Sequence, residues 1–169
     1  MASLQTEPHN SPFDGENTSC YLAQFFNAIY VLNGDTKNPN SIYIYDAGAK
    51  SWSTQSTTPG SFDYSSSDAI LDHDTNVFCE YPRSTSLTPP DLLPDAFSKG
   101  ALYNLDMGGL KAAKSGALEW VSTGDLGFPA DYTPVMALAQ NHIHFLDVGS
   151  DGPGNARIFV IHCKPFPTK

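Results

Sequence analysis

The chain has 169 residues, 40% of them hydrophobic, with 9 Lys and Arg against 18 Asp and Glu and a net charge of −9. That length suffices for one sizeable core. The few scattered cations argue against nucleic acid or an anionic membrane as partners, because phosphate binding needs clustered positive charge, and no apolar run approaches the roughly 18 residues of a membrane-spanning helix.

Residues 1–18 are polar and read as a flexible tail, without the basic start and apolar stretch of a secretory signal. Asn17-Thr18-Ser19 matches the glycosylation acceptor pattern, which counts only in a secreted chain. Cys20, Cys79 and Cys163 are odd in number, so at least one is free or paired elsewhere. The compartment stays open, with the cytoplasm slightly favoured and secretion retained should the chain be a fragment.

Beyond the tail, short apolar runs recur in a fixed order. Tyr21-Leu22-Ala23 precedes Asn27-Ala28-Ile29-Tyr30-Val31-Leu32-Asn33-Gly34, then Ile42-Tyr43-Ile44-Tyr45-Asp46, then Trp52. Ala69-Ile70-Leu71 precedes Thr75-Asn76-Val77-Phe78-Cys79, then Leu102-Tyr103-Asn104-Leu105-Asp106, then Trp120. Val135-Met136-Ala137 precedes Asn141-His142-Ile143-His144-Phe145-Leu146-Asp147, then Ile158-Phe159-Val160-Ile161-His162. Runs rich in Ile, Val, Tyr and Phe, separated by Gly, Pro, Asn, Asp and Ser, predict strands and turns. Only Gly109–Lys114 has helical propensity, and it is too short to stand alone.

Ile29, Val77 and Ile143, placed as equivalents, are 48 and 66 residues apart. The middle copy carries insertions of about 12 residues before its third strand and about 8 before its fourth, and removing both brings 66 to 46. Each copy then reads strand, turn, strand, loop, strand, turn, strand, with eleven strands in all because the third copy lacks its fourth. A period near 47 with four strands per unit is that of a propeller blade.

The run Ile29 to Gly34, followed by Ile42 to Asp46 and by Trp52, resembles the kelch repeat, in which a hydrophobic strand ends in paired glycines and leads to a Tyr-Asp strand and a Trp. The glycine pair is Asn33-Gly34 in the first copy, Glu80-Tyr81 in the second and Asp147-Val148-Gly149 in the third. The resemblance implies an all-β fold of kelch-type propeller blades, four-stranded antiparallel units over 19–66, 67–132 and 133–169. A generic antiparallel sandwich is the alternative. Closed propellers need at least about four blades, so the ring is incomplete. The chain then belongs to a longer propeller, pairs with copies of itself, or leaves exposed edges, which are prone to aggregate.

No catalytic constellation emerges, and no cofactor is expected. His142 and His144 alternate on a strand as two metal ligands would, but the aligned Ala28 and Tyr30 are ordinary packing residues, so no metal site is assigned. His73 lies in the acidic turn Asp72-His73-Asp74. Galactose oxidase-type copper enzymes use kelch-like propellers, and their set of two tyrosines, two histidines and a cross-linked cysteine is not reproduced around Cys20-Tyr21 or Cys79. A Gly-x-Ser-x-Gly elbow and a Gly-rich phosphate loop are absent from the sequence.

Strand alternation sends the 2–3 and 4–1 connections to one end of a blade and the 1–2 and 3–4 connections to the other. The first end collects the Pro-rich 81–98 insertion and the repeated dipeptides Asp63-Tyr64 and Asp131-Tyr132, so Asp63, Tyr64, Tyr81, Arg83, Asp131 and Tyr132 form the candidate binding surface. The expected function is a non-enzymatic interaction module. Its partner is a protein, further propeller blades or a second copy; the alternative is a sugar-binding module or a fragment of a secreted galactose oxidase-like enzyme.

Overall fold

The computed structural model describes residues 12–58, 67–82, 101–128, 134–147, 152 and 154–162. Twelve strands follow in chain order: β1 (Ser19–Ala23), β2 (Ala28–Leu32), β3 (Ser41–Asp46), β4 (Ser51–Thr58), β5 (Ser67–Asp72), β6 (Val77–Pro82), β7 (Ala101–Asp106), β8 (Leu118–Glu119), β9 (Val121–Asp125), β10 (Val135–Ala139), β11 (His142–Asp147) and β12 (Arg157–Ile161). A single 3₁₀ turn, Gln24–Phe26, is the only helical element among the described residues. The chain is all-β, as the strand and turn punctuation predicts.

The strands form three sheets, none of them closed: β1-β2-β3-β4 with β8 added at its edge, β5-β6-β7-β9, and β10-β11-β12. All neighbours are antiparallel except β4 and β8, which run parallel. Each of the eleven expected strands occurs, and β8 is additional.

Two details of the repeat are corrected by register. Asp46 pairs with Ala28 and Asp106 with Val77, while one further step along the β11–β12 ladder sets His162 opposite His142. Val77 is therefore the counterpart of Ala28, and Phe78, not Val77, is the counterpart of Ile29 and Ile143. The residue before each second strand confirms the shift: Asn27, Asn76 and Asn141 have φ of 54°, 57° and 60°, the left-handed region that Asn tolerates better than most residues. Trp120 is also displaced. It lies between β8 and β9 rather than on a fourth strand, although continuing the β7–β9 ladder by one residue sets it opposite Leu105, as Trp52 sits opposite Tyr45.

The cause is the inserted segment 107–117, which leaves the second sheet and runs along the first. Ala113 N–H donates to Ser53 Oγ (2.9 Å), Lys114 N–H to Gln55 Oε1 (2.9 Å), and Gln55 Nε2 to the Gly116 carbonyl (2.8 Å). Gln55 is fully buried and spends its amide on this segment. β8 then pairs with the end of β4 before the chain returns to its own sheet.

The sheets stack front to back. On the front of the first sheet, Tyr30, Leu32, Ile42 and Ile44 meet Leu71, Phe78, Tyr103 and Leu105 on the back of the second. On the front of the second, Val77, Cys79, Tyr81 and Leu102 meet Ile143 and Phe145 on the back of the third. Period-two alternation lets one strand serve both cores: Phe78 turns one way, Val77 and Cys79 the other. Tyr21 Oη donates to the Ala69 carbonyl (3.2 Å), tying the first strands of neighbouring sheets together.

Part of the outer face of the first sheet is covered by residues 13–15, which were expected to belong to a polar tail; Leu22 on the same face stays exposed. Phe13 packs edge-on to Trp52 (5.6 Å) and against Tyr43 (6.2 Å). Asp14 and Gly15 N–H groups donate to the Gly34 carbonyl, and the Asp14 carboxylate accepts from Thr36 N–H and Oγ1 at 3.0 Å each.

Candidate functional site

The two ends of the stack differ as strand alternation requires. At one end the 1–2 and 3–4 turns meet: Ala47 N–H donates to the Asn27 carbonyl and Met107 N–H to that of Asn76 (3.1 Å each). Asn76 Nδ2 also donates to Tyr30 Oη (2.8 Å) and to the Gly108 carbonyl, while Tyr30 Oη donates to the Leu110 carbonyl (2.7 Å). This network rivets two sheets and the inserted segment together. In the same region Asp72 accepts from Asp74 N–H (3.1 Å) and Thr75 Oγ1 (2.8 Å), which makes the Asp72-His73-Asp74 segment a self-bonded turn with His73 exposed.

Strand alternation assigns the predicted binding surface to the opposite end. Asp63, Tyr64, Arg83, Asp131 and Tyr132 lie outside the described residues. Tyr81 is described: it is buried, its ring against Phe128 (5.7 Å) and Phe145 (5.6 Å), and burial raises its pKa, with Asp125 adding to the effect. The described loop at this end, residues 33–40, is organised by Asp35. Its carboxylate accepts from Lys37 and Asn38 N–H and from Tyr43 Oη, and the backbone donors hold its pKa below the usual range. Asp14 is held low in the same way by Thr36. A cleft of about 10 Å³ between Leu32, Pro39, Ile42, Thr57 and Trp120 has room for about one water, far short of a small-molecule site.

In the sequence Glu80 stands out only as a departure from the glycine pair. Its side chain is 2% exposed on the back of the second sheet; Ser67 Oγ donates to Oε1, and Oε2 has no hydrogen-bond partner. Burial pushes its pKa up to about 8 against the smaller, opposing effect of Ser67, so the group is largely a neutral acid at pH 7. Tyr21, half-buried and near this carboxyl, is pushed up to about 12, chiefly by desolvation. A charged residue at an inward strand position was the available signal.

His142 and His144 share the front of the third sheet, as their spacing predicts. The nearest imidazole to His142 is that of His162 across the ladder, with ring centroids 3.7 Å apart. His142 Nδ1 lies 2.6 Å from the Gln140 carbonyl, and His144 Nδ1 is buried without a partner. Among the described residues no group of three or more His, Cys, Asp or Glu side chains is placed to hold a metal ion. Cys79 is disulfide-bonded, whereas Cys20 is free and exposed.

The chain matches no protein-family model and no curated protein.

Proposed function

We propose that the three sheets are kelch-type propeller blades of an incomplete ring, and that the chain acts as a non-enzymatic interaction module with a protein partner. The observation that carries this reading is the order of the stack: three copies of one sequence phrase occupy three successive sheets, and the first two each present their front to the back of the next. Propeller blades meet in that sense, whereas a two-layer sandwich turns its two inner faces toward one another. A rigid stack with loops gathered at one end is a scaffold for recognition. Fold alone does not fix function, so the reading leans on the loop end, where the repeated Asp-Tyr dipeptides and the 81–98 insertion belong by strand alternation.

One observation favours the second reading, a sugar-binding module or a fragment of a secreted oxidase. The Cys79 disulfide suits an oxidising compartment. Copper loading separates the interaction module from the oxidase. The interaction module retains no stoichiometric copper after dialysis and oxidises no sugar alcohol; one tightly held copper per chain together with alcohol oxidation would overturn the non-enzymatic reading.

A further inference from the structure

Among the described residues β12 ends the third sheet as an open edge, whereas the corresponding strands β3 and β7 are flanked on that side by β4 and β9. By register Ile158, Phe159 and Val160 are the counterparts of Ile42, Tyr43 and Ile44 and of Leu102, Tyr103 and Asn104. All six counterparts are buried, but Ile158, Phe159 and Val160 are 57%, 37% and 49% exposed. Phe159 separates the missing lateral neighbour from the open front of this sheet. It pairs across the ladder with Phe145 on the back, which already stacks on the second sheet, and it packs on Phe128 (4.8 Å), so its exposure comes from the edge.

Composition points the same way. The fourth strands are polar: β4 is Ser, Thr and Gln apart from Trp52, and β9 is Ser, Thr, Gly and Asp after Val121. β12 instead follows Arg157 with Ile158, Phe159, Val160 and Ile161, the composition of an interior strand, and Arg157 is engaged by Asp147 (2.8 Å). Natural edges are blunted by charge, proline or a bulge. Residues 158–161 carry neither charge nor proline, and their ladder with β11 runs without a register shift.

Resting on the propeller-blade reading, we propose that the free edge of β12 takes up an extended segment of another polypeptide as the fourth strand of the third sheet. Backbone N–H and C=O groups turned away from β11 are paired in register by a strand laid alongside, the mode of β-strand addition. The two filled edges define what that segment carries. Trp52 stands opposite Tyr45, and Trp120 is next in line opposite Leu105; the counterpart of both partners is Ile161. After the Trp, Ser53 and Thr54 continue one strand and Ser122 and Thr123 the other. The partner is accordingly a Ser- and Thr-rich strand, antiparallel to β12, with a large aromatic ring opposite Ile161.

A capped peptide with the sequence of residues 50–58, titrated to roughly 1 mM into the isotope-labelled full chain, tests this by amide exchange and nuclear Overhauser effects. Exchange of the outward amides within 158–161 slows, and contacts appear between the peptide Trp ring and Ile161. The same peptide carrying Trp52→Ala binds about tenfold more weakly or worse. Absence of protection on β12 at that concentration overturns the proposal, as does equal affinity for the two peptides. So does a β12 whose outward amides are already protected in the free protein, whether the protection grows with concentration, as in pairing between copies, or does not, as in pairing within one chain. Ring contacts of Tyr30 with Phe78 and of Tyr81 with Phe145 in the same spectra report on the stack. With these present, failure of the peptide sinks the edge proposal alone and leaves the blade reading standing; their absence sinks both.

Discussion

Single side chains set the chemistry of the inter-sheet cores. Glu80 has a folded pKa of about 8, above its ordinary 4.5, because burial disfavours the charged form. The stability associated with the neutral acid is complete below about pH 4.5 and is lost as pH rises toward 8. Glu80→Gln should therefore flatten this part of the stability profile, with little change at pH 5 and a gain of about 2–4 kcal/mol at pH 9. Urea denaturation at the two pH values measures it, and an equal effect at both would show that Glu80 ionises freely in the fold. Asn76 is the opposite case, a buried polar side chain whose amide nitrogen reaches Tyr30 Oη and the Gly108 carbonyl. Asn76→Ala removes both bonds and places Ala at φ 57°, so a loss of about 2–4 kcal/mol is expected in the same assay.

At the scale of elements, strands and their order were legible because short Ile-, Val- and Tyr-rich runs between turn residues have few other solutions. The one-residue error at Val77 has a physical origin. Both Val77 and Phe78 are buried, one toward each neighbouring sheet, so hydrophobicity cannot tell the two faces of a middle sheet apart. The Asn before each second strand could have done so, since backbone sign is independent of burial. β8 and the path of 107–117 were not legible, because polar pairings such as Gln55 with Lys114 and Gly116 leave no periodic trace. Phe13 was hidden in a segment of polar composition, and its role is testable. Phe13→Ala should cost about 1–2 kcal/mol and, in a Trp120→Phe background, shift Trp52 emission to the red as water reaches the ring. Gly15→Ala should do the same, because its Cβ would lie 2.0 Å from the Asn33 carbonyl oxygen. Unchanged emission in both variants would mean that the segment does not shield Trp52 in solution.

On the scale of the molecule, an end riveted by backbone and Asn76 bonds faces an end built of loops. Replacing Tyr64 and Tyr132 together by Ala should weaken a captured protein partner by more than about 1 kcal/mol without altering the fold. A partner indifferent to that change, but lost when residues 108–115 are deleted, would place recognition at the riveted end. Beneath this stands the claim that the repeat copies stack front to back, and side-chain contacts measured by nuclear Overhauser effects in solution test it most directly. Front-to-back stacking predicts contacts between the rings of Tyr30 and Phe78 and between those of Tyr81 and Phe145, where the centroids are 5.9 and 5.6 Å apart. Contacts from Phe145 to Tyr30 or Ile44, with none from Phe78 to Tyr30, would place the third sheet against the first and contradict it.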